Sequence, residues 1–168
     1  MSEFLDEVED HIPALRRYAR ALTRNADLAD DLVQDCLERA IRKQRLWRPT
    51  GPLRAWLFRI LLNIYRNDRR RLRFTAHAAI DTLPVEPSVQ AAQPHRLALA
   101  EIAAAIDKLP DEQREALLLV VLEGMSYAGA AGILRIPQGT LMSRLHRART
   151  TLKKITEGSE EPRLRTVK

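Results

Sequence analysis

The sequence predicts an all-α protein made of two small helical domains joined by a flexible linker. Apolar residues recur at three- and four-residue spacing over most of its 168 residues, which is the helical period. Ala and Leu dominate, aromatic residues make up 5% and there are six Gly, a composition that favours helices over sheets. A proline-containing stretch without Lys or Arg separates two helical halves. We therefore divide the chain into residues 1–75, a linker at 76–95, residues 96–156 and a polar tail at 157–168.

Three helices are predicted in the first domain. They cover about residues 8–23, a segment from about residue 27 to a break at 45–51, and about residues 52–73. Asp27 is expected to cap the second helix, and Thr50-Gly51-Pro52 to open the third. The apolar stripe expected to face inward on the second helix consists of Leu28, Leu32, Val33, Cys36, Leu37, Ala40 and Ile41.

The second domain is predicted to end in a helix-turn-helix. A helix at about 96–108 and a buried helix at about 111–123, capped by Asp111 and ended by Gly124, come first. Ser126 then caps a short helix, a break follows at residues 134–137, and a second helix runs to about Lys154. Residues 135–154 carry six Lys or Arg and no acid. This layout is typical of a motif that reads the major groove, although a plain helical hairpin with a solvated Arg face has the same pattern.

Charge is segregated along the chain. The net charge is +6 and the pI is about 10. Residues 1–35 hold nine acids against four bases, whereas residues 53–73 hold seven Arg against one Asp. The segregation indicates more than one macromolecular partner, at least one of them acidic.

The same sequence argues against an enzyme, a metal site and a cofactor. A single cysteine, Cys36, excludes an internal disulfide and a cysteine-built zinc site, and its place on an apolar stripe indicates packing. We find no phosphate-cradling Gly loop, metal cluster or nucleophile–base pair. No apolar run approaches the roughly 20 residues that span a bilayer, and the acidic N-terminus lacks a signal-peptide pattern. We expect a cytoplasmic protein without direct membrane insertion.

Four stretches together resemble the extracytoplasmic-function (ECF) sigma factors of bacteria. They are ADDLVQDCLERA at 29–40, LRAWLFRILLNIYRNDRRR at 53–71, LPDEQREALLLVVLEGMSY at 109–127 and IPQGTLMSRLHRAR at 136–149. The resemblance implies an alternative sigma factor that binds core RNA polymerase and directs promoter recognition and transcription initiation, for a stress or envelope response. It also implies an anti-sigma factor as a further partner.

The resemblance assigns the outer face of the second helix to core RNA polymerase. An acidic, polar helix face suits arginines on a partner coiled coil, and charge would steer that encounter. The implied contact residues are Asp30, Asp31, Leu32, Gln34, Asp35, Glu38 and Arg39. For Asp30 and Asp31 a simpler reading is that they complement the positive N-terminal end of the helix dipole.

Promoter DNA is assigned to two further surfaces. The third helix matches the family's reader of the opened non-template strand at the −10 element, with Arg59, Asn63, Arg66, Asn67, Arg69 and Arg70 as the implied contacts. The second helix of the helix-turn-helix matches the reader of the duplex −35 element, with Gln138, Gly139, Thr140, Ser143, Arg144 and Arg147 as the implied contacts. For Arg69–Arg71, phosphate contact or simple solvation is an equal alternative.

Two positions depart from the family pattern. Arg135 stands in the turn where Gly is usual, so we expect either a positive φ or a reshaped turn. Gly129 stands where a Glu is usual, which removes a capping-box partner for Ser126. Two other functions stay open: a stand-alone helix-turn-helix regulator, and a sigma-like mimic that sequesters an anti-sigma factor.

Overall fold

The computed structural model describes residues 2–47, 51–76 and 94–159, and every regular element in these ranges is helical. The first half contains α1 (Ser2–Thr23), α2 (Ala26–Lys43) with a following 3₁₀ turn (Gln44–Leu46), and α3 (Leu53–Ala76). The predicted all-α class is confirmed. Most of the predicted linker lies outside the described residues.

The helices α1, α2 and α3 pack on one another in pairs around an aliphatic core. Tyr18 and Phe58 lie at its centre, fully buried, with ring centroids 5.2 Å apart in an edge-to-face arrangement. Tyr65 is also buried, and its hydroxyl donates a hydrogen bond to the carbonyl oxygen of Leu22. The core leaves the polar side of α2 and much of the C-terminal half of α3 at the surface.

Helix α2 begins one residue earlier than predicted, and Asp27 is not its cap. The cap is Asn25, whose side-chain oxygen accepts the N–H of Leu28 at 3.0 Å. Asp27 lies instead in the first turn, where its charge complements the helix dipole. The inward stripe is also narrower than predicted, because Leu28 and Ile41 at its edges are exposed.

The second half contains α4 (Pro94–Asp107), α5 (Asp111–Leu117), α6 (Tyr127–Leu134) and α7 (Gln138–Ser159). Helix α5 continues as a π-helical turn (Leu118–Leu122), and Gly124, at φ +63°, ends it. Pro110 occupies the cap position of α5, so the prediction that Asp111 caps this helix is wrong. Residues 116–119 are buried, as expected for the spine under the helix-turn-helix.

The two halves pack directly against each other. The π-helical turn contacts α1, and α6 contacts α3. Their buried apolar residues form one continuous cluster that includes residues from α1 and α3 as well as from α5, α6 and α7. Among the helices described, none has the length and apolar character needed to cross a membrane.

Candidate nucleic-acid and polymerase interfaces

The outer face of α2 is a polar surface. Of the seven residues assigned to polymerase contact, six are exposed: Asp30, Asp31, Gln34, Asp35, Glu38 and Arg39. The seventh, Leu32, is only 5% exposed and belongs to the core, because its position on the helix turns it toward α3 and not toward solvent. The family resemblance placed Leu32 on the outer face from its motif position, whereas helical spacing placed it on the inward stripe, and its burial agrees with the spacing.

Ion pairs on this face are weak. Asp30 lies 3.7 Å from Arg16, and Glu38 lies 3.5 Å from Arg42 one turn along the helix. Gln34 donates a hydrogen bond of 3.3 Å to Glu38. Solvent-exposed pairs of this kind contribute little to stability. The carboxylates of α2 can therefore exchange these partners for cations on another protein.

An apolar groove borders the acidic face, and the sequence did not predict it. It has a volume of about 420 Å³ and lies between α2 and α3. Leu28 and Leu72, which are 56% and 65% exposed, line it together with Asp31 and Asp35. Leu28 was assigned to the core from its helical spacing. In the structure it lies at the surface and lines the groove.

The −10 candidates on α3 divide into two groups. Asn63, Asn67 and Arg70 are exposed, and their spacing of four and three residues places them on one side of the helix. This group presents two amides and one guanidinium to solvent. Amides suit base edges and a guanidinium suits phosphate, so the group has the donors that an unpaired strand requires.

The other three arginines lie against the second half of the chain. Arg59 is half-buried, with a guanidinium nitrogen 3.8 Å from the position of a Cβ added to Gly132. Its Nε is buried without a hydrogen-bond partner among the described residues. Arg66 donates hydrogen bonds to the carboxylate of Glu115, and Arg69 pairs with Asp111 at 3.2 Å.

The helix-turn-helix has the predicted cap and an unusual turn. The hydroxyl of Ser126 accepts the N–H of Gly129 at 3.0 Å. Arg135 adopts φ 55° and ψ 46°, so the first of the two expected outcomes, a positive φ, holds. A Cβ on Gly129 would lie 3.1 Å from the Ser126 hydroxyl oxygen, so a glutamate at this position would press on the capping group.

Helix α7 presents most of its predicted recognition residues. Gln138, Gly139, Ser143 and Arg147 are exposed and Thr140 is half-buried, while Leu141, Leu145 and Ala148 hold the helix in the core. Arg144 differs from its neighbours. Its side chain is 19% exposed, and it lies 3.5 Å from Glu112 of α5.

Glu123, which the sequence did not single out, joins the two halves. Its side chain is fully buried and accepts hydrogen bonds from Arg17 at 2.8 and 3.0 Å and from Arg54 at 3.0 Å. The hydrogen bond with Glu123 raises the pKa of Arg17. The main-chain oxygen of Glu123 accepts a further hydrogen bond from Arg54. Position 123 directly follows an apolar run, and in the structure it ends the π-helical turn with its carboxylate bound to Arg17 of α1 and Arg54 of α3.

An acidic helix face, an arginine-rich helix and an exposed basic recognition helix define a two-part DNA-binding protein with a protein partner. No cluster of His, Cys, Asp and Glu suited to a metal ion occurs in the part of the chain that the structure describes.

Two family models match the chain. Residues 8–62 match the Sigma2 domain of PhyR, and residues 99–152 match Sigma-70, region 4.

Relatives extend this match over nearly the whole chain. The ECF RNA polymerase sigma factor EcfG of Rhodopseudomonas palustris is 41% identical over 158 residues, covering 93% of this chain and 87% of the relative. The sigma factor RpoE of Bartonella quintana, solved in complex with the anti-sigma factor NepR, superposes with a TM-score of 0.82 at 34% identity, covering 94% of this chain and 98% of that one. CnrH, solved in complex with the cytosolic domain of CnrY, superposes with a TM-score of 0.70 at 30% identity, covering 92% and 88%.

The protein belongs to the ECF sigma factor family, as its sequence motifs predicted. Members of this family are transcription initiation factors and not enzymes.

Proposed function

We propose that this protein binds core RNA polymerase in the cytoplasm and directs it to promoters of a stress or envelope response. The observation that carries the proposal is that three separate surfaces with suitable chemistry are exposed in one chain. The polymerase face is Asp30, Asp31, Gln34, Asp35, Glu38 and Arg39 of α2; the strand-capture face is Asn63, Asn67 and Arg70 of α3; the recognition face is Gln138, Gly139, Thr140, Ser143 and Arg147 of α7.

The polymerase face carries the wrong charge for DNA and the right charge for a basic protein. Four of its six residues are acids, and phosphate would repel them. Arginines on a partner coiled coil could pair with these carboxylates, because the carboxylates otherwise make only weak, solvent-exposed ion pairs. This surface therefore supports polymerase docking, and it argues against a stand-alone regulator that binds only duplex DNA.

The strand-capture face suits the opened −10 element. Holding a flipped base offsets an unstacking cost of a few kcal/mol through hydrogen bonds and stacking. Asn63 and Asn67 supply amide donors and acceptors, and Arg70 supplies a phosphate contact. The other −10 candidates, Arg59, Arg66 and Arg69, would join them once released from the second half of the chain.

The recognition face suits the major groove of the −35 element. Its residues lie in the first three turns of α7, where the helix N-terminus also favours phosphate. Gly139 is exposed and allows a close backbone approach. Arg147 and Ser143 offer donors to base edges.

An anti-sigma factor is a further proposed partner. RpoE was solved with the anti-sigma factor NepR, and CnrH was solved with the cytosolic domain of CnrY. The apolar groove between α2 and α3 offers Leu28 and Leu72 to such a protein, and an occupant there would also cover Asp31 and Asp35. Occupation of the groove would thus compete with polymerase.

A second candidate is a sigma-like protein that sequesters an anti-sigma factor without binding promoters. Residues 8–62 match the Sigma2 domain of PhyR, and PhyR of Bartonella quintana was solved as an anti-anti-sigma factor in complex with the anti-sigma factor NepR. Such a protein has no use for an exposed basic recognition helix. The recognition face and the six bases at 135–154, a segment that contains no acid, therefore favour promoter binding.

Reconstitution with core polymerase separates these functions. Core enzyme plus this protein is expected to initiate at discrete sites on genomic fragments where core alone does not, and mapped start sites would give the −10 and −35 sequences. Formation of an anti-sigma complex without transcripts would establish the mimic. Binding to duplex sites without affinity for core would establish the stand-alone regulator.

A further inference from the structure

Phe74, near the C-terminal end of α3, is an aromatic residue that the fold leaves in solvent. It is 81% exposed. The other aromatic residues of this helix are covered: Phe58 and Tyr65 are buried, and Trp56 is half-buried, with its ring centroid 6.5 Å from that of Phe4. A single exposed apolar residue is ordinary on a protein surface, so the significance of Phe74 depends on its neighbours.

Phe74 extends the strand-capture face by one helical turn. Asn63, Asn67, Arg70 and Phe74 are all exposed, and they are spaced four, three and four residues apart. At 3.6 residues per turn and 1.5 Å per residue, the four side chains lie within an arc of about 60° and over a length of about 16 Å. At the roughly 3.4 Å repeat of a DNA strand, that length corresponds to about five nucleotides.

Arginines flank Phe74 on both sides of this line. Arg71 is exposed on one side, and Arg73 lies on the other side, where it pairs with Asp111 at 2.8 Å. Asp68, an acid of the same helix, faces away from Phe74 and lines the apolar groove between α2 and α3. The charge around the ring therefore suits phosphates, which arginines bind.

The ring of Phe74 projects from the helix itself and not from a loop. Helix α3 continues two residues beyond it, to Ala76. In its last turn the hydroxyl of Thr75 donates a hydrogen bond of 2.8 Å to the main-chain oxygen of Arg71. A side chain on a helix is held more precisely than one on a loop, so Phe74 keeps a fixed position relative to Asn67 and Arg70.

An aromatic ring supplies what the rest of the strand-capture face lacks. Asn63 and Asn67 offer hydrogen bonds to base edges, and Arg70 offers a phosphate contact, but none of these side chains is a flat apolar surface. Every unpaired base has a π-face, and its stacking on an aromatic ring holds the strand without selecting its sequence. In a duplex the neighbouring bases already cover that face.

We propose that Phe74 is the base-stacking residue of the strand-capture face, and that its ring packs on an unpaired base of the opened non-template strand at the end of the face beyond Arg70. This inference deepens the proposed function and rests on it. Phe74 then contributes affinity for the opened strand, whereas Asn63 and Asn67 contribute base preference.

The first test changes the shape of the side chain at position 74. Phe74→Tyr and Phe74→Trp keep a flat ring, Phe74→Leu keeps apolar surface without a ring, and Phe74→Ala keeps neither. The probe is a short fluorescein-labelled single strand of mixed sequence, read by anisotropy with the free protein. The Leu and Ala variants are both expected to bind it about tenfold more weakly than the natural chain, and the two ring variants as tightly as the natural chain.

The control for this series is Leu99→Ala. Leu99 lies on α4 and is 67% exposed, so the variant removes a comparably exposed apolar side chain away from the strand-capture face. It is expected to bind the probe strand as the natural chain does. Because Phe74 is exposed, all of its variants are expected to keep the helical circular dichroism of the natural chain.

The second test locates the stacked base in the promoter complex. Reconstituted holoenzyme is bound to promoter fragments whose non-template strand carries one abasic site at a time through the −10 element. Removal of the stacked base is expected to weaken binding of the natural holoenzyme about tenfold and to leave the Phe74→Ala holoenzyme unchanged. A duplex that carries only the −35 element should bind both holoenzymes equally.

Two results would overturn the proposal. One is that Phe74→Leu binds the probe strand as tightly as the natural chain, because the contact would then require no ring. The other is that Phe74→Ala weakens binding to core polymerase in the absence of DNA, which would assign the side chain to a protein interface.

Transcription separates this proposal from the proposed function. Normal promoter-specific transcription, with no dependence on the ring in either test, rejects base stacking alone. Absence of transcription by the natural chain, with the ring dependence retained on the probe strand, rejects the sigma activity and leaves Phe74 as a strand-binding residue.

Discussion

Arg66 of α3 and Glu115 of α5 form an ion pair in which the guanidinium Nε donates to both carboxylate oxygens. The hydrogen bond with Glu115 raises the pKa of Arg66, whose guanidinium is charged at all ordinary pH values. It joins residues that are far apart in the chain and belong to different halves. The −10 candidates thus fall into two groups. Asn63, Asn67 and Arg70 are exposed to solvent, whereas Arg66 and Arg69 are paired with acids of α5.

Reversing the charge of the polymerase face is expected to weaken binding to core polymerase. Asp35→Lys/Glu38→Lys should weaken binding to core polymerase by more than about tenfold, or about 1.4 kcal/mol, because lysines would repel a basic partner. Titration of labelled protein with core enzyme measures this. Glu7→Lys/Asp10→Lys, with the same charge change on exposed positions of α1, should bind normally. Unchanged affinity of the first variant, with normal helicity, would remove α2 from the interface.

Arg144 is predicted to read a base within the holoenzyme. Arg144→Ala should weaken promoter binding by about 1–3 kcal/mol and relax preference at one base pair. Competition between promoter and scrambled duplexes tests this, with Arg149→Ala, an exposed arginine elsewhere on α7, as the control. Equal losses on both duplexes would identify Arg144 as a phosphate contact.

The turn of the helix-turn-helix is predicted to be strained. Arg135 is exposed and lies in the left-handed region, which costs a non-glycine residue roughly 1–2 kcal/mol. Arg135→Gly should stabilise the protein by about 0.5–1 kcal/mol, the gain being reduced by the greater freedom of glycine in the unfolded chain. Urea denaturation measures the change. Gly124→Ala, at φ +63°, should shift stability in the opposite direction. A destabilised Arg135→Gly would show that the arginine side chain makes a compensating contact.

Cys36 is predicted to be inert in the folded protein. Burial raises the pKa of its thiol to about 12, and the thiol donates a hydrogen bond to the carbonyl oxygen of Leu57. At pH 8 only about one thiol in ten thousand is then ionised, whereas an unfolded cysteine has a pKa near 8.5. Iodoacetamide should therefore modify the protein in urea and leave the native protein unmodified. Rapid modification without denaturant would show that α2 opens locally.

Local sequence signals predicted the helices because each signal acts within one or two turns. The Ser126 cap, the Gly124 stop and the apolar periodicity of α3 depend on neighbours in the chain, and all three appear in the structure. The errors at Asp27 and Asp111 are of the same local kind. In each case a nearby residue, Asn25 or Pro110, took the cap position.

Composition, periodicity and motif spacing were thus sufficient for the all-α class, the helix-turn-helix and the family. They could not show which arginines are free. Arg66 and Arg69 look like exposed basic residues until the second half packs against them, and Arg144 does so until α5 packs against α7. They also could not predict the role of Glu123, whose carboxylate accepts hydrogen bonds from Arg17 and Arg54, residues that lie far from it in the chain. Such pairings depend on how two helical units dock. That docking is set by the shapes of their packed surfaces and the burial of charge, which no short stretch of sequence encodes.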